Sequence, residues 1–332
     1  MDVKSGGPAA LPGAGGHARA DVAGIAAGVG AMAAWAGSGV IAKGLDMGSL
    51  AIVLYRMWMY AALVIAVLML RGGRLTLATM RVSALGGIGF GLDLVLFFSA
   101  VKMTTMANAT VIGALQPVLM LALAGPLFGE RVNRREVGLA ALAIGGVALV
   151  MFGSSGLPDA NPAGDLLAVC ALFAWTAYFI FSKRTQAKVS SLEYTAATAL
   201  WATLFVTPIA LVSGQDLSLP VAGDWFWLVM LAVVPGLAGH GLMNWSLTRI
   251  PVWLASTLSL AIPVTATLMA WAFIDEPVDA LQFVGMGVVL AALAALVSKP
   301  GPAAPAAPAA PAPPTTSSPP PPPSPGIEPA SA

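Results

Sequence analysis

Ten stretches of this chain, near residues 22–42, 49–70, 82–101, 105–128, 136–153, 165–182, 193–213, 225–247, 252–273 and 280–298, are apolar and long, with short connections between them. A helix that crosses the hydrocarbon core needs about 20 mostly apolar residues. The composition agrees, with 58% hydrophobic residues, only 9% charged ones and a mean hydropathy of +0.85. A soluble domain needs far more charge to cover its surface. The runs do not alternate with the two-residue period of a membrane barrel, and several are rich in Gly and Ala, as closely packed helices in lipid are. The expected fold is an all-α integral membrane protein with ten transmembrane helices, its solvent the lipid bilayer, and no nucleic-acid partner.

Net charge is +1 and uninformative; its distribution is not. With both termini cytoplasmic, Lys4, Arg19, Arg71, Arg74, Arg81, Arg131, Arg134, Arg135, Lys183, Arg184, Lys188, Arg249 and Lys299 fall inside. Only Lys43 and Lys102 fall outside, and Arg56 lies within a span. This bias of thirteen to two fits the positive-inside rule and checks the helix count, because one missed span would reverse every later loop. The first run reads as a retained span rather than a cleavable signal. The single Cys170 allows no internal disulfide. Residues 1–21 and the Pro/Ala-rich 299–332 are expected to be disordered cytoplasmic tails, the latter extended and polyproline-like.

Between the tails the chain divides into halves of five helices, 22–153 and 164–298, joined by an external linker at 154–163. Pro117 is followed thirteen residues later by Glu130, and Pro263 is followed thirteen residues later by Glu276. Trp35/Trp175 and Lys43/Lys183 match between the first helices of the halves, and Gly138 and Gly285 fall at similar places in the fifth. Five helices is an odd number, so the second half must enter the membrane upside down. A duplicated unit with opposite orientations is the signature of a transporter built from inverted repeats.

Gln116-Pro117-Val118 followed by Phe128-Gly129-Glu130-Arg131, and Ile262-Pro263-Val264 followed by Ile274-Asp275-Glu276-Pro277, resemble the paired signatures of the EamA family of the drug/metabolite transporter superfamily. Gly239-His240-Gly241 with Asn244-Trp245 resembles the segment that precedes the second signature. Asp275 stands where the signature usually has Gly, and the first repeat is one residue short between Glu130 and Gly138. The resemblance covers about 22–298. It implies a cavity surrounded by the first four helices of each half, the fifth and tenth lying peripherally, and export or exchange of small metabolites, often amino acids. A homodimer through the peripheral helices is an open alternative to a monomer.

Ionisable groups inside a bilayer cost at least about 2.5–3.5 kcal/mol, so each needs a reason. Arg56 and Asp93 lie at similar depths, roughly 10–12 Å below the outer surface at 1.5 Å per residue. An Arg56–Asp93 ion pair would be a structural clamp; otherwise Asp93 is a protonation site or a partner for a substrate amine. His240 falls one position from Asp93 in the repeat alignment and is a second proton-coupling candidate, unless it simply donates to a carbonyl. No second His or Cys lies at ligand spacing, so neither a metal nor another cofactor is expected. Asn108, Gln116 and Pro117 in the fourth helix, and Ser259 and Pro263 in the ninth, are pathway candidates, because proline frees a backbone carbonyl. Asn244 shares a face with His240, and Trp35, Trp175 and Tyr178 read as aromatic walls, with interfacial anchoring as the alternative for the tryptophans. Glu130 and Glu276 sit at helix ends, where a carboxylate ties a loop or caps a following helix.

The leading reading is a secondary transporter of small organic solutes in a bacterial plasma membrane, not an enzyme. A carrier of nucleotide sugars or phosphorylated metabolites would need several cations in the cavity. A membrane enzyme acting on lipids would need a polar cluster near one interface, for which Asp275, Glu276 and Asp279 are the candidates. There is no P-loop in the sequence.

Overall fold

The computed structural model describes residues 21–38, 41–42, 45–104, 109, 112–130, 132–153, 161–274 and 278–298. Both tails, most of the 154–163 linker, Lys43, Asn108, Arg131, Asp275, Glu276 and Pro277 lie outside the described residues. Ten helical segments follow in order: α1 (Val22–Ala36), α2 (Ser49–Leu70), α3 (Leu77–Met103), α4 (Gln116–Phe128) and α5 (Arg134–Gly153). Then come α6 (Pro162–Thr185), α7 (Ser191–Val212), α8 (Ala222–Leu247), α9 in two pieces (Val252–Leu258 and Ala261–Ile274) and α10 (Ala280–Ser298). Eight of them are long and apolar enough to cross a membrane; α1 and α4 are shorter.

Local chemistry sets the helix boundaries. Asp21, Thr76, Asn161 and Ser190 each accept a backbone N–H at the start of α1, α3, α6 and α7. Gly129 ends α4 at φ 66°, a left-handed conformation that costs glycine little. The prolines act differently from the expected mid-helix kink. Pro117 is the second residue of α4, which starts after a turn at Ala114–Leu115, and α9 is interrupted at Ser259–Leu260 just before Pro263. Because proline has no N–H to give the preceding turn, each helix resumes where that donor is not needed.

The major packings come in matched pairs when α1–α5 are exchanged for α6–α10. The helix α3 packs against α6 and α7, as α8 packs against α1 and α2; α1 packs on α9, as α6 packs on α4. The pairs α2–α7, α4–α9 and α5–α10 map onto themselves. Glycines permit the close approaches: a Cβ on Gly87 would lie 2.4 Å from the Trp201 Cβ of α7, and one on Gly285 of α10 would lie 2.7 Å from the Gly146 carbonyl oxygen of α5. Gly138 meets nothing within 4 Å, so the pairing of Gly138 with Gly285 marks no shared packing role. The buried centre draws on α1–α4 and α6–α9, whereas α5 and α10 pack chiefly on each other in a separate cluster. Phe152, Leu166, Phe173, Phe226 and Phe283 are more than half exposed, an outer surface suited to lipid.

Hydrogen bonds between helices define the two ends of the bundle. At the basic end, Lys183 Nζ donates to the Leu247 and Ile250 carbonyls (both 2.7 Å), Arg249 pairs with Asp21, and Thr185 Oγ1 donates to the Val82 carbonyl. At the opposite end, Lys102 Nζ donates to the Leu45 carbonyl, Thr104 Oγ1 to Asp165, and the Leu50 N–H to Gln215.

Candidate functional site

A cavity of about 180 Å³ opens between the helices, in the half of the bundle away from the basic end. Trp35 and Ser38 reach it from the end of α1, Arg56 from α2, and Phe90, Asp93, Phe97 and Phe98 from α3. Trp175 of α6, His240 of α8, and Ser259 and Pro263 at the break in α9 also line it, with small and aliphatic residues between them. Seven of the residues singled out from sequence therefore meet here: Trp35, Arg56, Asp93, Trp175, His240, Ser259 and Pro263. Tyr178, Asn244, Gln116 and Pro117 do not line it, and Asn108 and Glu276 lie outside the described residues. Phe90, Phe97 and Phe98 went unmarked in the sequence. Their signal was available, because Phe90 and Phe97 stand three and four residues either side of Asp93, on one helical face.

The expected Arg56–Asp93 clamp is not formed. Among the described residues the ion pair is Arg249–Asp21, and no nitrogen of Arg56 comes within 4.0 Å of a carboxylate. The Arg56 guanidinium instead lies 5.2 Å from the centre of the Phe98 ring, and its Nε has no hydrogen-bond partner. Arg56 is almost wholly buried, at 3% exposure, and Asp93 is half-buried. Both side chains face one cavity without forming an ion pair.

His240 sits in an aromatic box. Its ring centre is 4.3 Å from Phe90, 5.0 Å from Trp35 and 5.9 Å from both Tyr60 and Tyr178. Its Nδ1 lies 3.5 Å from the Tyr178 hydroxyl, so the expected bond to a carbonyl is replaced by a side-chain contact. Tyr178 also donates to Asn244 Oδ1 (3.2 Å), and Asn244 Nδ2 donates to Thr195 Oγ1 (3.0 Å). A buried polar chain thus runs from the cavity wall toward the basic end through α8, α6 and α7. Tyr178 belongs to this chain rather than to the wall. Trp35 and Trp175 meet edge to face at 5.0 Å inside the bundle, which excludes interfacial anchoring for the pair. The Trp35 indole donates to the Pro235 carbonyl (3.0 Å) within a π-helical stretch of α8, Ala232–His240. Such widened turns expose carbonyls that a regular helix would use itself.

Glu130 does not cap the helix that follows it. Its carboxylate accepts from the Val252 N–H (2.9 and 3.0 Å) and the Trp253 N–H (3.4 Å), capping α9 in the other half of the chain. Burial raises its pKa above the usual carboxylate value, opposed by the Val252 bond and the Lys183 charge. The start of α5 is capped by Asn133 and Glu136, which exchange bonds of 2.9 and 2.8 Å. Asp279 and Gln282 make the same exchange at the start of α10, so Asp279 has a structural task.

Comparison with known proteins agrees with this architecture. The model of the EamA-like transporter family matches residues 22–152 and again 162–298. A protein of Escherichia coli (strain K12) named "Probable amino-acid metabolite efflux pump" is 28% identical over 221 residues, 62% of this chain and 74% of that protein. An "Aromatic amino acid exporter YddG" of Ancylobacter novellus is 29% identical over 194 residues, 57% of this chain and 65% of that protein. The chain spans 60 to 74% of the length of the first curated relatives it matches. A solved crystal structure at 22% identity superposes with a TM-score of 0.68, covering 83% of this chain and 98% of the other, and supports the fold alone. The chain, a multi-pass membrane protein, belongs to the EamA-like transporter family of the drug/metabolite transporter superfamily.

Proposed function

We propose that this protein is a secondary transporter that exports small organic metabolites, amino acids and related compounds foremost, by alternating access between two inverted five-helix repeats in the plasma membrane. The observation that carries the reading is the cavity itself: both halves line it, and Arg56 and Asp93 on its wall form no ion pair among the described residues. The matched packings of α1–α5 and α6–α10 support the repeat, and the basic end supports cytoplasmic termini. The names of the two relatives support amino acids as the substrate class. Asp93 and His240, both on the cavity wall, are the groups that would carry a proton if flux is coupled. A carrier of phosphorylated solutes is disfavoured, because Arg56 is the sole cation lining the cavity among the described residues.

The test is flux. Proteoliposomes loaded with a metabolite extract, placed in a pH gradient and followed by mass spectrometry are expected to lose zwitterionic amino acids selectively. If folded protein releases nothing with or without the gradient, the transporter reading fails for this chain.

A further inference from the structure

The polar atoms facing the cavity can be assigned one at a time. Ser38 Oγ donates to the Trp35 carbonyl (2.8 Å) and Ser259 Oγ to the Ser256 carbonyl (2.6 Å), and His240 Nδ1 meets Tyr178. The remaining wall is apolar or aromatic apart from Arg56 and Asp93. Neither of these makes a hydrogen bond or ion pair among the described residues, though each is near enough to the other to share one small cavity. A buried charge is costly until something of opposite sign meets it, and Arg56 and Asp93 both face the cavity, where a ligand can supply it.

A ligand of one charge satisfies one residue and is repelled by the other. Phosphates and dicarboxylates meet Asp93 unfavourably, and simple amines meet Arg56 unfavourably. A molecule that carries a carboxylate and an ammonium on one carbon answers both. The planar guanidinium offers a carboxylate two parallel donors, and Asp93 offers an ammonium an acceptor of opposite charge. Around the two charges stand Trp35, Phe90, Phe97 and Trp175, flat surfaces that hold an apolar or aromatic side chain with little conformational cost.

We infer that the cavity binds unmodified α-amino acids by both charged ends, the carboxylate at Arg56 and the ammonium at Asp93, with an apolar side chain against the aromatic wall. This rests on the transporter reading and deepens it. It makes Arg56 and Asp93 specificity determinants with separable tasks.

The test uses the full chain in proteoliposomes and counterflow of labelled leucine, phenylalanine and tryptophan, against the N-acetyl and amide derivatives of each. At least one free amino acid is expected to exchange, with both of its blocked forms at least about tenfold slower, because a site built around a polar group rejects ligands that lack it. Asp93→Asn is expected to abolish the preference over the N-acetyl form while keeping the preference over the amide. Arg56→Gln is expected to do the reverse, and Arg56→Lys and Asp93→Glu to restore part of each preference. The inference is overturned if blocked forms exchange as fast as free amino acids, or if each variant loses both preferences together while folded. It is also overturned if a solute from the extract is exchanged and no free amino acid is, an outcome that leaves the transporter reading standing. Should the variants fail to fold, the comparison of free and blocked ligands on the unaltered protein decides alone. Folded protein that exchanges nothing at all removes the transporter reading instead.

Discussion

Asn244 and Gln116 are both fully buried amides, and the structure treats them in opposite ways. Asn244 accepts from Tyr178 and donates to Thr195, tying α8 to α6 and α7. Among the described residues Gln116 finds no partner for either its Nε2 or its Oε1. Hydrogen bonds between membrane helices contribute about 0.6 kcal/mol on average and at most about 1.7. Asn244→Leu is therefore expected to destabilise the protein by about 1 kcal/mol, read as a lower midpoint in detergent unfolding. Gln116→Met removes an unsatisfied group and keeps the volume, so it is expected to raise the midpoint, by an amount equivalent to about 1 kcal/mol. A fall in stability for Gln116→Met would mean that the amide is partnered after all. The sequence placed Asn244 on the His240 face through helical spacing, and both side chains meet the Tyr178 hydroxyl, though of the two only His240 lines the cavity. The partners of Asn244 were not legible, because Tyr178 and Thr195 lie 66 and 49 residues away in the chain.

At the scale of the helices, the Pro-to-Glu spacing was readable but its target was not. The carboxylate of Glu130 reaches a helix start 122 residues away, a contact no local pattern encodes. Loss of such a cap costs about 0.5–2 kcal/mol, and Glu130→Ala is expected to fall in that range by thermal unfolding. The pH dependence follows from burial. The folded protein holds the Glu130 proton to higher pH than the unfolded chain, so its contribution to stability declines as pH rises from 4.5 through the folded value. Over that window the midpoint of the unaltered protein is expected to fall relative to Glu130→Gln; a difference that does not change with pH would contradict the raised carboxyl. The contact of α5 with α10 makes a second case. A side chain at Gly285 collides with the backbone of α5, so Gly285→Leu is expected to cost about 1–3 kcal/mol of stability. Because neither helix lines the cavity, flux per folded molecule should be unchanged.

The ten helices and the charge asymmetry were legible at the level of the whole molecule because lipid imposes one rule on every span: its backbone must satisfy itself within an apolar sequence. What the composition does not encode is which half of the bundle is open. Here the cavity occupies the half away from the basic end, while the other half is filled by the Tyr178, Asn244 and Thr195 chain and closed by Glu130, Lys183 and the Arg249–Asp21 pair. On the proposed mechanism these roles exchange, and the matched packings of the two halves are the ground for expecting it. That exchange can be tested in a background where Cys170 is replaced by Ser. A cysteine at Ser38, on the cavity wall, is expected to react with an impermeant maleimide added at the face away from the basic end. A cysteine at Thr195, now buried, is expected to react from the basic face and only while substrate is being exchanged. If Thr195→Cys stays unreactive during measured flux, the inner half does not open along the Tyr178–Asn244 chain, and the route to the basic end must run elsewhere between the repeats.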